Sequence, residues 1–162
     1  MTGASTGFLP RQCDARLRAL TQHWSNLPSS PIGIPWRRDL DPLDLDPRTL
    51  PYIWMVDLES DPPRFRFRLC GTHLVRALGF DPTGRYYEDV FPDFDGSETQ
   101  DALRRMRDTG EPSWRTGDPN LVFPSHDIRM LERVFLPLTR SGRCIDIVLA
   151  ASIYRNLRGQ EV

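Results

Sequence analysis

Arg64-Phe-Arg-Phe-Arg-Leu-Cys-Gly-Thr-His-Leu-Val-Arg-Ala-Leu-Gly-Phe-Asp-Pro-Thr-Gly-Arg-Tyr-Tyr-Glu-Asp-Val-Phe91 is the stretch on which the fold turns. It opens with a strict alternation. Phe65, Phe67 and Leu69 share one face of a strand, and Arg64, Arg66 and Arg68 share the other. Gly71-Thr72 breaks that strand, with Thr72 placed to cap a short helix and Gly79 to end it. Asp81-Pro82-Thr83-Gly84 then turns the chain. A strand feeding a short helix and a Gly-rich turn suits a small sensory domain better than an enzyme core.

The flanking strands complete the pattern. Residues 52–59 predict a first strand, and Ser60-Asp61-Pro62-Pro63 predicts the turn of a hairpin with residues 64–70. Ser97-Glu-Thr-Gln100 is a capping box opening a helix to about Asp108, with Ala102, Leu103 and Met106 on its apolar face and Gly110 as its stop. Residues 113–123 predict an irregular third strand interrupted at Gly117-Asp118-Pro119. Residues 130–138 and 144–154 predict two more, joined at Ser141-Gly142-Arg143. The order is helix, β, β, short helices, β, β, β. It predicts an α+β fold, an antiparallel sheet with the short helices on one face and an extra N-terminal helix.

Upstream, residues 1–10 are expected to be a disordered tail, residues 11–38 a helix and a Pro-rich linker, 39–156 the domain proper and 157–162 a tail. Within 11–27, Cys13, Leu17, Leu20, Trp24 and Leu27 follow a packing-seam spacing. Two readings stay open: a helix docked on its own domain, or one that pairs with its copy in a homodimer. Asp39-Leu-Asp-Pro-Leu-Asp-Leu-Asp-Pro47 resembles a calcium loop only superficially, because Leu50 stands where the EF-hand needs its bidentate Glu and the required Gly is missing. Each Asp-Pro step reads instead as a helix start, with Asp as cap and Pro at the first position.

Bulk composition narrows the function. With 162 residues the chain should build one domain around one core. The net charge of −1 argues against nucleic acid as a partner. All 21 basic residues are Arg, so a Schiff-base or Walker lysine mechanism is excluded. No apolar run approaches the roughly 18 residues that span a bilayer, and the N-terminus lacks the marks of a signal peptide. Three scattered cysteines, Cys13, Cys70 and Cys144, point to a reducing cytoplasm rather than a disulfide framework. Cys70 and Cys144 fall in predicted strands, where a thiol is usually a small buried hydrophobe.

In order and wording the chain resembles a PAS domain, and more narrowly the bacterial PAS-5 family of short, often stand-alone PAS proteins. The resemblance rests on Asp46-Pro47 with Leu50-Pro51, Val56-Asp57, Arg64–Leu69 with Gly71-Thr72, Gly79, Thr83-Gly84-Arg85, Leu136-Pro137-Leu138 and Gly142. It covers roughly residues 15–155. It implies a five-stranded antiparallel sheet wrapped around a pocket closed by short helices. It also implies sensing of a ligand or light, or a docking and dimerisation role, with the signal passing through a flanking helix.

The cofactor-bearing versions find little support. No Asn-Cys-Arg run is present for a flavin adduct, and the helix at 98–108 carries no His for a haem. The photoactive type needs a reactive Cys in residues 71–110, and there is none. His73 and His126 read as surface or capping residues. Flavin and haem are therefore disfavoured and no cofactor or metal is expected, although an unknown small ligand is allowed. There is no nucleophile elbow, CxxC or phosphate loop, and the neighbours Ser125-His126-Asp127 cannot easily converge as a triad, so no catalytic residue is assigned.

Two surfaces remain. Pocket walls would come from Trp54, Val56, Phe65, Phe67, Leu69, Leu74, Leu78, Tyr86, Met106, Leu136, Ile147 and Leu149, unless these simply fill a core. The Arg64, Arg66 and Arg68 face would meet an acidic partner or anion, unless it is a solvated face paired to acids such as Asp57, Glu59 or Asp146. The chain ends within ten residues of its last predicted strand, with no output segment in view. The expected function is a non-enzymatic sensory or adaptor module in bacterial signalling, acting on a partner protein in trans. Leu17, Leu20, Trp24 and Leu27 would form the homodimer or docking helix. The alternative is a sensor whose pocket holds an apolar or amphipathic metabolite; a small α+β cavity enzyme is the third reading.

Overall fold

The computed structural model describes residues 5–125 and 127–162. The described residues form one five-stranded antiparallel sheet in the order β2-β1-β5-β4-β3. The strands are β1 (Ile53–Ser60), β2 (Pro63–Cys70), β3 (Ser113–Gly117), β4 (Met130–Leu138) and β5 (Ile147–Arg155). The helices are α1 (Ala15–Ser25), α2 (Thr72–Leu78), α3 (Tyr87–Val90) and α4 (Glu98–Thr109).

Side-chain alternation splits the core into two layers. On the inner face Trp54, Val56, Phe65, Phe67, Phe135, Val148, Ala150 and Tyr154 pack under α2, α3 and α4. On the outer face Met55, Val134, Leu136, Leu138, Ile147, Leu149, Ala151 and Ile153 pack under α1 and residues 40–45. The strands β4 and β5 are thus covered on both sides, and their burial is nearly continuous along the strand.

Local chemistry explains the element ends. Gly71, not Thr72, takes the cap position of α2, and Gly79 ends the helix at φ 80° with its N–H on Val75 O. The Ser97 hydroxyl accepts from Gln100 N, while Gln100 Oε1 accepts from Gly96 N. Asp41 caps a single 3-10 turn at Pro42–Asp44 through Leu43 N, whereas Asp46 only closes a turn through Arg48 N. β3 stops at Gly117, short of the expected 123, because Gly117 adopts φ 135° and Pro119 has no N–H to donate. β5 begins at Ile147 rather than 144, because the Asp146 carboxylate holds the turn by accepting from Arg140 N and Ser141 N. Cys144 therefore lies exposed in that turn rather than buried in a strand.

Both flanks of the described chain are tied to the domain. Within the expected tail of residues 1–10, Leu9 is buried beside Cys13 and Leu17. In 157–162, Glu161 pairs with Arg16 and accepts from the Tyr52 hydroxyl, and Val162 packs against the inner core.

Candidate functional site

The first candidate lies between the inner face and the helices. Phe67 stacks on Tyr87 at 4.4 Å, Tyr87 on Phe94 at 4.5 Å, and Trp54 meets Phe135 edge-on at 5.7 Å. The Trp54 indole donates to the Ser152 hydroxyl at 2.9 Å. These rings leave a cavity of about 20 Å3, lined also by Leu74, Phe91, Thr99, Leu121, Phe123, Arg133 and Tyr154. That is room for roughly one water molecule.

The second candidate is the outer face of β1 and β2. The Asp57 side chain is 5 % exposed and lies 3.5 Å from each of Arg66, Arg68 and Arg140. Glu59 pairs with Arg66 at 3.4 Å and Asp146 with Arg140 at 3.5 Å. The three arginines keep 40–48 % of their side-chain surface exposed. Burial, with Arg68 and Arg140 nearby, pulls Arg37 below the usual arginine range. Arg64 departs from this group. It bonds Glu88 at 2.6 Å, and its guanidinium lies 3.3 Å from the Tyr86 ring centroid. The free edge of β2 is closed by residues 84–86, through Phe67 N on Arg85 O and Gly84 N on Phe67 O.

The PAS domain family profile matches residues 13–149, most of the chain, and stops at the third residue of β5. The chain belongs to the PAS domain family. PAS domains are typically sensory or adaptor modules in signalling. No curated protein matches it.

Within this PAS sheet the predicted wall residues separate. Trp54, Phe67 and Leu74 reach the cavity. Val56, Phe65, Leu78 and Met106 lie in the inner core without lining it. Leu69 leaves the inner face altogether. A register shift between Met55 and Val56 pairs Leu69 with Met55 and Cys70 with Trp54, so the alternation inverts past Arg68. Leu69 is 44 % exposed, and Cys70 takes its place beside the inner core, where burial pushes its thiol up to about 12. Tyr86 is also outside the cavity, its hydroxyl on Glu59 and its ring under Arg64. Leu136, Ile147 and Leu149 belong to the outer layer beneath α1, because their strand parity is opposite to that of Phe135, Val148 and Ala150.

The N-terminal helix of the PAS domain lies on that outer layer. Leu17, Leu20 and Trp24 are buried, Leu27 is half-buried, and all four face the chain's own sheet. The Trp24 indole donates to Pro137 O at 2.8 Å. At the other end Asp14 caps the helix, donates its N–H to Glu132 Oε1 at 2.8 Å and pairs with Arg155 at 3.1 Å. The hydrogen bond from Arg16 holds the Asp14 carboxyl below the usual carboxylate range.

Sequence reasoning missed Arg140, which joins the Asp57 group from the turn between β4 and β5, and two buried residues. His73, expected at the surface or as a cap, is buried between the Tyr52 and Tyr154 rings, with Nε2 accepting from Tyr154 N at 3.1 Å. Arg133 is buried on the cavity wall, where an alternating strand would carry an apolar residue. Its signal was present: Leu131, Arg133 and Phe135 share one parity of β4. His126 lies outside the described residues. Among the described residues no group of three or more His, Cys, Asp or Glu side chains could hold a metal ion, and no helix is long and apolar enough to cross a membrane.

Proposed function

We propose that the protein is a non-enzymatic PAS adaptor that docks an acidic segment of a signalling partner on Arg66, Arg68 and Arg140. The observation carrying this reading is the convergence of three half-exposed guanidiniums on the single buried carboxylate of Asp57. Their planar forks keep N–H groups turned to solvent, and such groups suit carboxylates of a partner. Leu69, 44 % exposed beside them, adds an apolar anchor. The nearly filled inner cavity favours docking over permanent carriage of a metabolite.

Self-association through α1 would require Leu17, Leu20 and Trp24 to leave the sheet, so the docked helix supports action as a single copy. Light scattering at high concentration checks this: a monomer is expected, and a dimer retained in a Trp24→Ala variant would revive pairing elsewhere. The reading places the protein in the cytoplasm, where an exposed free thiol such as Cys144 persists. The docking reading is tested by fluorescence anisotropy of a labelled oligoglutamate peptide. Salt-sensitive binding to the native protein is expected, and Arg66→Glu should weaken it at least about tenfold. Equal binding by Arg66→Glu would sink it.

A further inference from the structure

Arg115 on β3 and Arg133 on β4 stand directly opposite one another in register. Like charges so placed repel. Arg133 is 3 % exposed, and its Nε and Nη1 find no acceptor among the described residues. Arg115 Nη1 is likewise buried without an acceptor. The Arg133 guanidinium lies 3.8 Å from the Phe135 ring centroid, a contact that attracts the charge but accepts nothing from its N–H groups in their own plane. Burial first, and the charge of Arg115 among its neighbours, pull Arg133 down to about 10, which leaves it a cation at neutral pH.

Both arginines line a cleft of about 110 Å3 between α4 and β3, together with Arg105, Glu98, Glu111 and Trp114. Glu98 is already engaged, 2.8 Å from Arg115 Nε and bonded to Asn120. The lining thus holds three arginines against two glutamates. A buried charge without a partner is strongly unfavourable, so the site is built for an anion that it does not itself contain.

We propose that this cleft binds a small monocarboxylate with an apolar tail, whose oxygens accept from the unpaired N–H groups of Arg133 and Arg115. The single excess positive charge fits a monoanion, and the two glutamates disfavour a dianion such as phosphate. The tail is assigned by the cleft's own apolar lining, Ala102, Met106 and Trp114, because the inner cavity behind Arg133 has room for no more than about one water molecule. The cleft lies between α4 and β3, at the opposite edge of the sheet from Arg66 and Arg68 on β2, and shares no residue with the Asp57 group, so it stands or fails separately from the docking surface.

The test is isothermal titration of the full chain with sodium propionate and, separately, with sodium phosphate, alongside melting curves in each. One propionate site per chain is expected, at least about tenfold tighter than phosphate. Arg133→Met should weaken propionate at least about tenfold, and Arg115→Gln should weaken it by a smaller factor. Circular dichroism confirms that each variant is folded. If Arg133→Met does not fold, Arg115→Gln decides, and unchanged affinity there overturns the proposal. It is equally overturned by a native protein whose heat and melting temperature ignore propionate, by undiminished binding in folded Arg133→Met, or by a preference for phosphate.

Discussion

Mild acid should weaken this domain through one side chain. His73 is 6 % exposed, and Nε2 accepts the Tyr154 N–H. Protonation would replace that acceptor with a second donor and leave a charge buried between two tyrosine rings. Burial accordingly holds His73 down at about 4, despite the opposing pull of Glu161. With the unfolded value near 6.5, the unfolded chain binds the proton first. Stability is therefore present in full above about pH 6.5 and falls as pH drops toward about 4. The whole shift corresponds to about 3 kcal/mol, of which about 2 kcal/mol is lost between about pH 7 and about pH 5. Urea denaturation reads it as a midpoint lowered by about 1 M. Carboxylates held low by arginines, Asp14 and Glu161 among them, act in the same direction but lower down. Their contribution is present above their unfolded values and disappears as pH falls through the folded ones, below about pH 4. His73→Gln offers a neutral oxygen where Nε2 stood and should flatten the slope between about pH 7 and about pH 5. A native protein with the same midpoint at both pH values, or an undiminished slope in His73→Gln, would refute the reasoning.

Three further outcomes follow from the packing. Trp24→Ala empties a site that is 1 % exposed and removes the bond to Pro137 O; thermal or urea denaturation should show a loss of about 3–5 kcal/mol. Gly71→Ala should cost about 1–3 kcal/mol in the same assays, because an added Cβ would stand 2.5 Å from Pro51 O and 2.6 Å from Ile53 O, both backbone atoms. Asp57→Ala leaves Arg66, Arg68 and Arg140 without their shared acceptor; about 1–3 kcal/mol of destabilisation is expected by denaturation, together with tighter binding of oligoglutamate.

The alternation of Phe65 and Phe67 with Arg64, Arg66 and Arg68 was readable because one face of β2 packs on helices while the other meets water. Glycine and capping signals at Gly79, Ser97 and Gly110 marked helix ends for the same local reason. Periodicity could not reveal the register shift that sends Leu69 outward, since it depends on pairing with β1. Nor could it assign Leu136, Ile147 and Leu149 to a face, because α1 covers the outer side of β4 and β5 and both parities are apolar. The packing seam of α1 was legible, but whether it met its own sheet or a second copy was not. The salt bridges from Asp57 to Arg66 and Arg68 were foreseeable from strand proximity, whereas Arg140 arrives from the β4–β5 turn. The Arg115–Arg133 pairing depends on the register of β3, whose end sequence alone misplaced.

The proposed working surface is the arginine face around Asp57. Titrating the isotopically labelled protein with oligoglutamate, and mapping amide and arginine Nε shifts, tests it most directly. Shifts should concentrate at Asp57, Arg66, Arg68, Leu69 and Arg140, with little change at Arg133. Shifts centred on Arg115 and Arg133 instead, or none that saturate, would contradict it.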